Sequence, residues 1–96
     1  VTASIERVLS DLMALKDQTD RKWGRFTLRT CAASKILEEA GELGVVLTTP
    51  NDPVANGVPT GFDFEEWRKE RIYAEALDVA NVALRIAQEF GRAVDG

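Results

Sequence analysis

The stretch Ile36-Leu37-Glu38-Glu39-Ala40-Gly41-Glu42-Leu43 constrains this chain more than any other. Its apolar residues recur at helical spacing, yet acidic residues stand beside the apolar stripe. A second segment, Glu75-Ala76-Leu77-Asp78, repeats the arrangement with the same i, i+3 spacing of acids. Burying a carboxylate, even partly, is costly unless something pairs with it. Two helices that share this cost point to a common purpose for the acids.

The rest of the chain supplies the frame. Ile5, Val8, Leu9, Leu12 and Leu15 recur at three and four, which predicts a first helix over 4–19 with one apolar face. Thr2 or Ser4 is placed to cap it, and Asp11, Lys16 and Asp17 read as solvent-facing charges. Residues 20–29 are basic and aromatic, and Gly24 breaks helical continuity. One reading makes them a solvated connection with Trp23 and Phe26 packed on the core. The other has Trp23 stacking on a base while a neighbouring cation such as Lys22 meets phosphate.

A second helix is predicted over 30–48, capped by Thr27 or Thr30, with Ile36, Ala40, Leu43 and Leu47 on one face. At about 100° per residue, Glu39 falls about 70° from that centre and Glu42 about 130° away on the same side. Glu38 lies near the opposite face. Pro50, Pro53, Pro59, Gly57 and Gly61 then mark a loop over 48–63. A third helix is predicted over 63–90, opened by an Asp63/Glu66 capping box and stopped at Gly91. Ile72, Ala76, Val79, Ala83, Ile86 and Phe90 form one stripe, and Tyr73, Leu77, Ala80 and Leu84 form another. A helix apolar over so wide an arc needs more than one packing partner. The expected fold is an all-α antiparallel helical bundle, one domain over 1–96. Another subunit is the natural further partner, because a core of this size is thin.

If the second and third helices pack side by side, Glu39, Glu42, Glu75 and Asp78 form one cluster. Four carboxylates do not stay ionised together without counter-charge, so they take up protons or cations. Hard oxygen donors without His or Cys select Mg²⁺, Mn²⁺ or Ca²⁺. Mg²⁺ held by carboxylates usually completes its shell with waters and a substrate's phosphates. Arg85 lies on nearly the same helical row as Asp78, placed to meet phosphate or to pair with that acid. The plain alternative is an amphipathic bundle whose acids pair with Lys35, Arg68 or Arg85 at the edge of the core.

Glu38-Glu39-x-x-Glu42 followed by Glu75-x-x-Asp78 resembles the metal-binding pattern of the all-α nucleoside triphosphate pyrophosphatases, the MazG-like proteins and their dimeric relatives. Lys22-Trp23-Gly24 ahead of the first motif, and Glu75 to Ala83 around the second, are also similar to that superfamily. The likeness spans roughly residues 5–90, with a longer Pro/Gly-rich stretch between the motifs than is usual. It implies a homodimer or homotetramer that uses Mg²⁺, with Mn²⁺ as a substitute. It implies hydrolysis of a nucleoside triphosphate to the monophosphate and pyrophosphate, in clean-up of the nucleotide pool. Carried over residue by residue, it makes Glu39, Glu42, Glu75 and Asp78 metal ligands. Glu38 would help orient or deprotonate water, and Lys35, Asn81 and Arg85, with Lys22 and Trp23, are candidates for substrate contact. The alternative from a different class is a non-catalytic dimerisation or nucleotide-binding module on the same scaffold.

Composition narrows the chemistry further. The chain has no histidine, which removes His-based acid–base catalysis and every His-containing metal motif. Its single cysteine, Cys31, excludes an internal disulfide and points to a reducing, cytoplasmic setting. A net charge of −4 argues against a nucleic acid polymer as partner. No apolar run approaches the ~18 residues that a membrane span needs.

Overall fold

The computed structural model describes residues 2–23, 32–48 and 64–91. They form three α-helices: α1 (Ile5–Trp23), α2 (Ala32–Thr48) and α3 (Phe64–Phe90). The all-α expectation holds, and each helix lies where periodicity placed it. The expected caps at Thr27, Thr30 and Asp63 and the loop after Thr48 lie outside the described residues, as does Phe26.

α1 begins where Ser4 Oγ accepts a hydrogen bond from the Arg7 backbone N–H at 3.1 Å, the geometry of an N-cap. It ends later than expected. The helix continues through Asp20, Arg21, Lys22 and Trp23, which sequence reading assigned to a connection. Pairs at i, i+4 account for the extension: Lys16 bonds Asp20 at 2.6 Å and Asp17 pairs with Arg21 at 3.0 Å. Arg21 and Lys22 also place positive charge at the helix C-terminus, where the dipole favours it. At the other end of the chain, Gly91 N–H closes α3 by donating to the Ala87 carbonyl at 2.7 Å. A Cβ on Gly91 would stand 3.0 Å from that same oxygen, which explains a residue without one.

α3 is the element the other two share. α2 and α1 each pack on it, and no close approach joins α1 to α2 among the described residues. Polar contacts fix both registers. Arg68 of α3 donates to the Leu47 carbonyl at 3.0 Å, and Glu39 meets Glu75 and Asp78, so α2 runs antiparallel to α3. Tyr73 meets Asp11, Asn81 meets Thr19 and Arg85 meets Asp20, so α1 runs parallel to α3. Position rises together on α1 and α3 and oppositely on α2 and α3, giving an up-down-up arrangement. Arg68 also brings a cation to the last carbonyls of α2, which a helix C-terminus otherwise leaves unsatisfied.

The core is thin, as chain length requires. Only Ala32, Val46 and Val82 are buried apolar residues among those described, and no side chain there is completely enclosed. The buried row of α2 is Ala32, Glu39 and Val46, seven residues apart each time. This differs from the expected stripe: Ala40 and Leu47 are exposed, and Ile36 and Leu43 are only half-buried. The covered face is thus turned by about 70° toward the acids. α2 has one helical neighbour here, so it buries only the strip that faces α3. On α3 both expected stripes are mostly half-buried, as befits a helix between two partners, although Ala83 and Phe90 are exposed.

Candidate functional site

Glu39 sits at the middle of the buried row of α2, and Glu75 and Asp78 lie one turn apart on α3. Antiparallel packing brings them together. A carboxylate oxygen from each of the three lies within 4.8 Å of the others. Glu39 and Glu75 are each only 8 % exposed. In both, one oxygen, Oε2, is buried without a hydrogen-bond partner. Buried polar atoms are normally satisfied, so an unpartnered oxygen on each of two clustered glutamates marks a place for a missing donor or cation.

Glu42 is exposed and stands at the rim rather than inside the triad. It still feels the cluster: the negative charge of Glu39 first, then desolvation and Glu75, hold its carboxyl above the usual 4.5. Asp78 is raised above 3.8, chiefly by burial and then by Glu39 and Glu75, with Lys35 acting in the opposite sense. These shifts are what mutually repelling carboxylates produce when the counter-charge is insufficient.

Counter-charge arrives from one side of each helix. Lys35 Nζ lies 3.0 Å from Glu39 Oε1, one turn earlier on α2. That contact first of all, with the charges of Glu38 and Glu42 adding to it, raises the Lys35 ammonium above 10.5. Arg71 approaches Glu75 more loosely, at 3.6 Å, with its side chain 52 % exposed. Glu38 is exposed and is not among the three converging acids, in keeping with its helical phase. Its side chain is 57 % exposed and its carboxylate lies 3.8 Å from Lys35 Nζ.

The other sequence candidates are distributed differently. Trp23 is 68 % exposed at the end of α1, so it is not packed on the core as the plainer reading expected. Lys22 lies over its ring, 5.0 Å from the centroid, a cation–π contact. Asn81 and Arg85 are buried, and both reach α1. Asn81 Nδ2 donates to Thr19 Oγ1 at 3.1 Å, and Arg85 Nε pairs with Asp20 Oδ1 at 3.1 Å. Arg85 therefore meets an acid of α1, not Asp78.

That polar seam between α1 and α3 is what sequence reading missed. Lys16, whose side chain is only 14 % exposed, joins Arg85 on Asp20. Together they hold the Asp20 carboxyl below 3.8, with the Lys16 hydrogen bond the largest cause. Further along, Tyr73 Oη donates to Asp11 at 2.6 Å, which raises the phenol above its usual value. Asp11 and Lys16 are thus half-buried partners rather than solvent-facing charges, and only Asp17 is exposed as expected. A signal was present. Continuing the row of Leu12 and Leu15 by three and four residues reaches Lys16 and Thr19, so the inward face of α1 turns polar before it ends.

Hard oxygen ligands, buried orphan lone pairs and an excess of negative charge all suit a divalent cation such as Mg²⁺ or Mn²⁺. The donor set therefore fits the metal that the two motifs imply. Among the described residues no helix is long and apolar enough to cross a membrane. No family model, curated protein or solved structure matches the chain.

Proposed function

We propose that this chain is a divalent-cation-dependent nucleoside triphosphate pyrophosphohydrolase of the MazG-like kind. The observation that carries the reading is the convergence of Glu39, Glu75 and Asp78 from two helices, with buried Oε2 atoms of both glutamates left without donors. In this reading those three residues hold Mg²⁺ or Mn²⁺, and Glu42 completes the cage from its rim. The cation supplies neutralisation of phosphate charge and a lowered pKa for the attacking water. Lys35 adds positive charge at the same edge for the triphosphate. Glu38, exposed and turned outward, serves water only if substrate or a second subunit approaches its side of α2. Asn81 and Arg85 hold α3 against α1 through Thr19 and Asp20, and so keep Glu75 and Asp78 in place. Cleavage between the α and β phosphates yields a nucleoside monophosphate and pyrophosphate.

A homo-oligomer belongs to the same proposal. Ile5, Leu9 and Met13 make an exposed apolar row on α1, at 65 %, 51 % and 54 % exposure, and Leu37 and Val45 of α2 are 72 % and 64 % exposed. Apolar faces this open on a thin bundle favour burial against another copy.

The test is a panel of common and modified nucleoside triphosphates with Mg²⁺, read by pyrophosphate release. Release from at least one, abolished by Glu39→Gln, is the expected outcome. Folded protein that releases none across the panel refutes the activity, and nucleotide binding without turnover would leave a binding module instead.

A further inference from the structure

The acid cluster is not bare, because one flexible cation already stands in it. Lys35 Nζ lies 3.0 Å from Glu39 Oε1. Among the described residues this contact is shorter than those of the neighbouring cation–acid pairs: Arg71 stays 3.6 Å from Glu75, and Lys35 itself is 3.8 Å from Glu38. Its side chain is 41 % exposed, so the ammonium has water on one side and the carboxylates on the other. A lysine stem is long and rotatable, and can carry its charged end into solvent while the stem keeps its packing. The carboxylate it holds belongs to the residue whose other oxygen is buried without a partner. The ammonium lies against one oxygen of Glu39, Oε1. With Lys35 in this position the Oε2 atoms of Glu39 and Glu75 both stay without a partner, whereas an ion among the three acids would draw on both residues.

We propose that Lys35 is an exchangeable counter-ion: its ammonium occupies Glu39 while the cluster lacks a divalent cation and is expelled when one enters. The inference rests on the cation-binding reading of the cluster given above. It assigns Lys35 two positions and makes it a competitor of the metal. The bare ion is then bound more weakly than the acids alone would bind it. Filling the cluster leaves a mobile positive charge at the edge.

Titration of Mn²⁺ into the full chain by calorimetry tests this, using the wild type, Lys35→Met and, as a control, the exposed Lys69→Met. Removing a competing near-surface ion pair should tighten Mn²⁺ binding roughly three- to tenfold for Lys35→Met. Lys69→Met should bind like the wild type. In EDTA, Lys35→Met should melt below the wild type, and saturating Mn²⁺ should close that gap. Equal or weaker Mn²⁺ binding by Lys35→Met overturns the role of Lys35 while leaving the metal site standing. Absence of Mn²⁺ binding by every protein overturns the metal site itself, and Lys35 as its competitor with it. Should Lys35→Met not fold, the wild type labelled with ¹⁵N-lysine carries the test. The Lys35 Nζ resonance should move toward that of a solvated amine as Mg²⁺ is added, and a resonance unchanged at saturation refutes expulsion.

Discussion

Asparagine in place of Asp78 removes one charge from the acid cluster without changing side-chain size. Asp78 brings an oxygen within 4.8 Å of oxygens from both Glu39 and Glu75. Two unit charges at that separation repel by about 3.5 kcal/mol at an effective dielectric of ~20, so the two neighbours together would cost about 7 kcal/mol. A proton relieves the strain for less, since holding an ordinary aspartate neutral at pH 7 costs about 4 kcal/mol. Lys35 offsets part of the repulsion, and water at the rim screens more. In EDTA near pH 7.5, Asp78→Asn should therefore stabilise the fold by about 1–3 kcal/mol. The effect carries a pH signature. Asp78 and Glu42 both titrate above their usual 3.8 and 4.5 in the folded chain. The native state then binds more protons than the unfolded chain in that range. Their contribution is most favourable below those usual values and is lost as pH rises through the raised ones. The advantage of the variant should be near zero at pH 4 and grow toward pH 7.5. Urea unfolding followed by circular dichroism, at several pH values in EDTA, measures it. A variant no more stable than the wild type at pH 7.5, or an advantage that shrinks as pH rises, would show that the acids do not strain the fold. In the proposed metal-binding reading, adding Mg²⁺ should reverse the order, because Asp78→Asn would lose one of the proposed ligands.

Two further outcomes follow from the packing. Arg85→Met removes the buried partner of Asp20 but leaves Lys16, so it should cost about 2–3 kcal/mol in urea unfolding, less than breaking a fully buried pair. The lowered carboxyl of Asp20 contributes stability above pH 3.8 that is lost as pH falls through its depressed value, and Arg85→Met should blunt that acid limb. Val82, 5 % exposed, is one of few enclosed apolar residues. Val82→Ala should lower stability by about 1–2 kcal/mol, and an unchanged midpoint would mean that α3 is not packed there.

The helices were legible in the sequence because periodicity of three and four is a local property, and Ser4 and Gly91 are local signals of start and stop. The faces were less so. Apolar spacing marks every apolar side of α2, including the exposed Leu37, Val45 and Leu47, but a single neighbouring helix covers only one strip. Which strip is covered depends on the acids of α3 and on Arg68, far away in the chain. The gathering of Glu39 with Glu75 and Asp78 was legible from matching helical phase in two segments, and so was the separation of Glu38. Glu42 was placed on the correct side yet lies further out, because 130° from the apolar centre reaches the rim of a contact between only two helices. Of the seam between α1 and α3, only the polar turn of the α1 row at Lys16 and Thr19 was legible. Its partners Tyr73, Asn81 and Arg85 were not, because they follow from the register between two helices far apart in the chain.

α3 resembles a shaft keyed at two points. It engages Glu39 of α2 through Glu75 and Asp78, and it is pinned to α1 through Tyr73, Asn81 and Arg85. A side-chain tip rides about 5 Å from a helix axis, so turning α3 by about 20° would sweep it through nearly 2 Å. That is enough to pull Asn81 from Thr19 and Arg85 from Asp20. α1, which contributes no acid to the cluster and never meets α2, thus sets its torsional stiffness. A loosened α1 would be felt as slack in the spacing of three carboxylates to which it contributes none.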